Sequence, residues 1–95
     1  MSDVIMQRFD GVTPEQYDEL RRIVGWDRDV PEGMTFHVAS FGDNILRMTD
    51  VWDSAAQFET FVQTRILPAL QQVGVEGMPE MVVNPMHDIY PSAAT

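Results

Sequence analysis

Two helix-start signals divide this chain and restrict what it can become. "TPEQ" (Thr13–Gln16) has a hydroxyl that can cap a helix, a proline suited to the first helical position, and a glutamine three residues on that completes a capping box. "DSAAQ" (Asp53–Gln57) repeats the signal with Ser54 and Gln57. After the first, Tyr17, Leu20 and Val24 recur at helical spacing with Ile23 beside them, and Gly25 is a natural left-handed stop. After the second, Ala55, Phe58, Val62, Ile66, Ala69 and Val73 share one face up to Gly74. Pro68 lies inside that run and deletes one backbone hydrogen bond, so a kink or break is expected near Leu67.

What remains around the helices reads as strands. "DVIMQRFD" (Asp3–Asp10) comes first and Gly11 closes it. "WDRDVPEG" (Trp26–Gly33) is a loop by its turn residues. Met34–Phe41 and Ile45–Trp52 form a hairpin about "GDN" (Gly42–Asn44), whose residues tolerate positive φ. "EMVVNPMHDIY" (Glu80–Tyr90) is expected to be the last strand, with Pro85 placing it at an edge or a bulge, and "PSAAT" (Pro91–Thr95) a frayed tail. The order β-α-β-β-α-β over residues 1–95 points to one α+β domain. The expected fold is ferredoxin-like, an antiparallel four-stranded sheet with two helices on one face.

The strands lack the alternation of a sheet with one wet face. Val4 and Met6 oppose Ile5 and Phe9; Phe36 and Val38 oppose Ala39 and Phe41; Met81 and Val83 oppose Val82 and Met86. Two helices cover only one of these faces. The other is expected to meet the same face of a second copy in a sheet-to-sheet homodimer, the alternative being a sheet with tolerated surface hydrophobics. A chain of 95 residues buries roughly 60–65% of its unfolded surface, so association would also help stability.

Charge and composition narrow the function classes. The net charge is −9, with six arginines and no lysine, which disfavours nucleic acid and anionic membrane surfaces as partners. No cysteine means no disulfide, thiolate nucleophile or iron–sulfur site, and no lysine means no Schiff base. Without a basic, apolar leader or a run of ~20 apolar residues, a cytoplasmic location is expected. The phosphate-binding and nucleophile-elbow glycine motifs are missing, so no organic cofactor is expected and a small-molecule ligand is the partner to look for.

The hairpin carries the candidate chemistry. With a two-residue turn at Asp43 and Asn44, residues whose numbers sum to 87 pair. His37 then faces Asp50, Ala39 faces Met48 and Thr35 faces Trp52, all on one face with Leu46 and Phe41. A three-residue loop would pair His37 with Thr49 instead. A carboxylate beside an imidazole fixes its tautomer and favours proton uptake, so such a pair can take a proton from a phenol or an activated carbon acid and return it. It can equally be two buried polar groups satisfying each other. His87 shares a face with Met81, Val83 and Ile89, unless Pro85 flips it, and is a third catalytic candidate or a core residue. Trp26 could lid a cavity or anchor its loop. Phe58, Phe41, Met48 and Trp52 are the other candidates for ligand contact. Seven methionines could adapt to a flat ligand or simply fill the core. Arg8 and Arg47 could meet an anionic group or pair with Asp50 or Glu80. Asp50 with two histidines lacks close metal-ligand spacing, so no metal is expected.

The element order, "FHVASFGD" (Phe36–Asp43) and above all "VWDSAAQFETFVQTRILPALQQVGV" (Val51–Val75) resemble the small dimeric α+β barrel proteins grouped with antibiotic-biosynthesis monooxygenases. The resemblance spans nearly the whole chain and implies a homodimeric barrel. It also implies a cofactor-independent monooxygenase, or a cyclase or isomerase, acting on an aromatic or polyketide-like compound. A non-catalytic dimeric binder or accessory protein is the alternative. In such proteins the tryptophan at the Trp52 position lines a cavity between sheet and helices, and some cyclases carry a catalytic histidine on the last strand, where His87 stands. Haem degradation in this fold uses a histidine on the second helix; Ala55–Val73 contains none.

Overall fold

The computed structural model describes residues 2–91, so the tail expected over 92–95 lies outside the described residues. The elements are β1 (Asp3–Asp10), α1 (Pro14–Val24), β2 (Met34–Gly42), β3 (Ile45–Trp52), α2 (Ala55–Phe61), a π-helical segment (Val62–Ile66), α3 (Leu67–Val73) and β4 (Glu80–Pro85). The strands form one antiparallel sheet in the order β2-β3-β1-β4. Among the described residues no helix is long and apolar enough to cross a membrane.

The caps form as the local sequence dictates, with one exchange. Around α1 both arms of the capping box are present: the Gln16 amide N–H donates to Thr13 Oγ1 at 3.1 Å and the Thr13 N–H to Gln16 Oε1 at 3.0 Å. At α2 only one arm forms, the Gln57 N–H donating to Ser54 Oγ at 3.2 Å. Gln57 Oε1 instead accepts from the Ser54 hydroxyl at 3.2 Å, and Asp3 satisfies a different helix-start donor, taking the Ala55 N–H on Oδ2 at 2.9 Å and tying the start of β1 to the second helix.

The disturbance due to Pro68 is spread over the turn before it. Its ring clashes with the carbonyl of an α-helical turn and it has no N–H to donate. The chain widens to a π turn over Val62–Ile66, and Pro68 then sits in the first turn of α3, where the missing donor is tolerated.

The hairpin turn is of the two-residue kind, with Asp43 at φ 53° and Asn44 at φ 61°. His37 pairs with Asp50, Ala39 with Met48 and Phe41 with Leu46, as the sum rule requires. The rule fails at the far end. A bulge between Met34 and Phe36 sets Met34, not Thr35, opposite Trp52. Thr35 instead turns its hydroxyl to the Val51 carbonyl at 3.1 Å. The extra residue changes parity, and Met34 joins the face that carries His37.

The helices cover the face bearing Ile5, Phe9, Leu46 and Trp52, and their contacts form two clusters. Ile5, Trp52, Phe58 and Phe61 make one; Phe9, Val12 and Leu46 make the other. By register the row Gln7–Met48–Ala39 lies between them. The opposite face is apolar and open: Met6 is 45%, Phe36 40%, Val38 48% and Val82 52% exposed. Arg8 and Arg47 lie directly opposite each other on that face, away from Asp50, and Arg8 pairs with Asp10 at 3.2 Å.

The last strand is shorter than expected. β4 pairs with β1 only as far as Asp3–Pro85, followed by a single bond from the Met86 N–H to the Ser2 carbonyl at 2.9 Å. Beyond that bond His87, Ile89 and Tyr90 lie outside the sheet.

Candidate functional site

The gap between the two core clusters is a chamber of about 80 Å³. Its floor is the middle of the sheet, with Gln7, Met48, His37 and Asp50; Phe58, Phe61, Val62 and Ile66 roof it. Val75, Met78, Pro79 and Met81 form its margin beside β4, and Trp26 and Met34 close the end under β2.

A line of hydrogen bonds runs along one wall. His37 Nδ1 lies 2.5 Å from Asp50 Oδ1, and the Trp52 indole N–H donates to Asp50 Oδ2 at 3.1 Å. The Asp50 carboxylate, 3% exposed, is thus held on both oxygens. As an acceptor it places the imidazole proton on Nδ1, which leaves Nε2 as an acceptor. The Tyr17 hydroxyl, 2.8 Å away, donates to it. Burial pushes the Tyr17 phenol up to about 12; Arg21 opposes the rise, and Asp50 and Asp18 add to it. The phenol therefore stays protonated at neutral pH. No buried side-chain nitrogen or oxygen among the described residues lacks a partner.

Each element positions its member of the line for a local reason. Tyr17 stands on the sheet-facing side of α1, and the strand register puts His37 and Asp50 directly across from each other. Trp26 follows the left-handed Gly25 and sets its ring edge-on to both Tyr17 and His37, at 5.6 Å in each case. Arg65 of the π segment pins that loop, donating to the Val24 and Asp29 carbonyls at 2.9 Å each, with its guanidinium over the Phe61 ring. Trp26, Met34 and His37 also border an open groove along β2 together with Tyr17 and Arg21, so these three form the partition between groove and chamber.

The structure brings together five of the residues expected from the sequence: His37, Asp50, Met48, Trp26 and Phe58. Three expectations are corrected. Trp52 does not line the chamber; it is fully buried between Phe58 and Phe61, with ring centroids 5.6 and 5.5 Å away, and serves the site by holding Asp50. Phe41, near the hairpin turn, packs edge-on against Tyr17 at 6.0 Å and stays outside the chamber. His87 lies beyond β4, exposed, and does not reach the site, because the strand that was to carry it ends at Pro85. Sequence reasoning missed Tyr17 as a functional group. The signal was there, since Tyr17 begins the apolar stripe of α1 and is the one residue of that stripe with a hydroxyl. Among the described residues no three His, Cys, Asp or Glu side chains group as metal ligands.

No family model matches the chain, and no curated protein sequence matches it. Solved structures do. A variant of SnoaB, a cofactor-independent oxygenase from Streptomyces nogalater, superposes with a TM-score of 0.68 at 18% identity, covering 96% of this chain and 98% of that one. A candidate antibiotic biosynthesis monooxygenase from Chloroflexus aurantiacus gives 0.65 at 17% identity, covering 94% and 97%. Another, from Caulobacter crescentus, gives 0.66 at 9% identity, covering 92% and 91%. At these identities the likeness is one of fold. The chain has the ferredoxin-like fold of antibiotic-biosynthesis-monooxygenase-like proteins, as the sequence resemblance implied.

Proposed function

We propose that this protein is a small-molecule enzyme that works by acid–base chemistry without an organic cofactor, as a monooxygenase or as a cyclase or isomerase, on an aromatic or polyketide-like compound. The observation that carries the reading is the bonded line Tyr17–His37–Asp50–Trp52 on the wall of an apolar chamber. With Asp50 holding Nδ1–H, His37 has one basic nitrogen, and it is occupied by the Tyr17 hydroxyl. A substrate O–H or activated C–H reaches His37 either by displacing that hydroxyl or by handing its proton on through it. Both routes keep the imidazole in its plane and tautomer, which is the positioning that general-base catalysis needs. The likeness in fold to a cofactor-independent oxygenase supports the reading, because a deprotonated, electron-rich substrate can itself reduce O₂.

The open apolar sheet face supports a homodimer, with Met6, Phe36, Val38 and Val82 meeting their copies across a two-fold axis. A second reading, a non-catalytic dimeric binder, is favoured by one specific observation: every hydrogen-bonding atom of His37 and Asp50 already has a partner within the chain.

Deuterium exchange at acidic C–H positions and O₂ uptake, measured over a panel of phenols and β-diketones, separate the two. The enzyme reading expects turnover above buffer that His37→Ala abolishes while the melting temperature holds. A His37→Ala variant that unfolds, with no turnover by the parent protein, leaves the binder.

A further inference from the structure

The chamber has four polar lining residues, and three are already engaged. Asp50 holds His37 and Trp52, His37 holds Tyr17 and Asp50, and Gln16 Oε1 accepts from the Thr13 N–H. Gln7 is different. It lies in the centre of the sheet at the middle of β1, opposite Met48 on one side and Met81 on the other, and lines the chamber half-buried. Among the described residues no hydrogen bond engages its amide. Its amide is not sealed from water, so a ligand that enters the chamber and displaces that water has to supply the amide with a partner.

Charge and size then limit what enters. No arginine lines the chamber, and the nearest fixed charge is the Asp50 carboxylate, in a chain of net charge −9. A carboxylate or phosphate ligand would be desolvated beside a like charge with no cation to meet it. The volume of about 80 Å³ falls below the ~150 Å³ apolar cavity that holds benzene and well below the ~300 Å³ at which pockets for drug-sized ligands begin. Admission of even one ring requires side chains to move. Met34, Met48, Met78 and Met81 line the chamber, and methionine is the side chain that moves most readily. Gln7 and His37 stand two strands and two residues apart, about 12 Å between backbones from strand rise and spacing, a gap that the two side chains and a single ring between them can fill.

We infer that Gln7 is the specificity-determining residue of this chamber, donating from its amide to the oxygen of an uncharged, single-ring compound that bears a hydroxyl or carbonyl. The inference rests on the proposed site, and it narrows the substrate class to ligands of one ring without an acidic group. It makes Gln7 a positioning group with no part in proton transfer.

Calorimetric titration with p-cresol, toluene and p-toluate tests it without any turnover. The parent protein is expected to bind p-cresol about tenfold more tightly than toluene, as one hydrogen bond to an amide that the ligand strips of water allows, and to give no heat with p-toluate. Gln7→Met, close in shape, is expected to remove the preference for p-cresol and leave toluene binding as it was. Gln7→Leu is the second variant should Gln7→Met fold poorly. Binding of p-toluate as tight as that of p-cresol overturns the inference. So does a Gln7→Met protein that keeps the tenfold preference, or a parent protein that binds neither neutral ligand at millimolar concentration. Gln7-dependent binding without turnover sinks the enzyme reading and spares this one. Turnover abolished by His37→Ala, with KM unchanged in Gln7→Met, does the reverse.

Discussion

The Tyr17 hydroxyl and His37 Nε2 lie 2.8 Å apart, joining the first helix to the edge strand at the point where chamber and outer groove are separated by one layer of side chains. That bond makes the histidine's free nitrogen a property of two elements rather than of the hairpin alone.

The same bond predicts an alkaline transition. The Tyr17 phenol titrates at about 12 in the fold, against an ordinary value of 10, chiefly because it is buried. Below pH 10 both folded and unfolded chains keep it protonated, and its contribution to stability is whole. Between pH 10 and 12 the unfolded chain releases the proton first, and stability falls as pH rises. Thermal melts across this window should show a steeper loss for the parent protein than for Tyr17→Phe. Phenolate absorbance near 295 nm should show a late-titrating tyrosine that Tyr17→Phe removes. Equal slopes in the two proteins would contradict the buried phenol.

Asp50 predicts a stability loss that conservative replacement does not avoid. Asp50→Asn keeps the size but gives one of the two donors, His37 Nδ1–H or Trp52 Nε1–H, an amide N–H in place of an oxygen. Hydrogen bonds to a charged group contribute about 1.5–3 kcal/mol each, so a loss of about 2 kcal/mol is expected in urea unfolding. The indole N–H resonance of Trp52 should move in the same variant, because that proton points at Asp50 Oδ2. An unshifted indole with unchanged stability would mean that the carboxylate is not held as described.

How much of this was legible in the sequence depended on how local the cause was. The His37–Asp50 pairing was one of two registers the sequence left open, and the two-residue turn, with Asp43 and Asn44 at positive φ, decides it. Thr35 defeated the pairing rule, because a bulge, here accompanied by the bond from the Thr35 hydroxyl to the Val51 carbonyl, is not encoded in periodicity. His87 was placed on a strand by its apolar neighbours, but apolar pattern does not set where pairing stops, and β4 ends at Pro85 opposite Asp3. Trp52 was on the expected face; whether that face opened onto a chamber or onto Phe58 and Phe61 was decided by the helices packed above it. Tyr17 was visible only as a member of a helical stripe, since its partner lies twenty residues away.

The open sheet face predicts the consequence of a single charge. In a two-fold interface Val38 is presented by both copies on one surface, so Val38→Asp places two carboxylates within an apolar contact. Analytical ultracentrifugation should show a dimer for the parent protein and a monomer for Val38→Asp, with helical content retained. A surface substitution on a free monomer would change stability by no more than about 0.5 kcal/mol and leave the sedimentation unaltered. A monomeric parent protein would leave the apolar face to a different partner.

Arg65 predicts an effect at a distance from the residue changed. Its guanidinium reaches the Val24 and Asp29 carbonyls, one on each side of Trp26 in the chain, and covers Phe61, which also roofs the chamber. Arg65→Lys keeps the charge but cannot hold two carbonyls in one fixed fork, so the loop should loosen although the net charge is unchanged. Trp26 meets Tyr17 and His37 by ring edges and packs against the Ile5–Trp52–Phe58–Phe61 cluster without a hydrogen bond among the described residues, and a looser loop lets it move off them. The expected readings are a red-shifted fluorescence emission, measured in a Trp52→Phe background so that only Trp26 reports, and a melting temperature lower by several degrees, which corresponds to about 1 kcal/mol in a domain of this size. Emission and melting equal to those of the Trp52→Phe parent would show that the loop is held by its own turns, and that the partition beside His37 does not depend on the π segment.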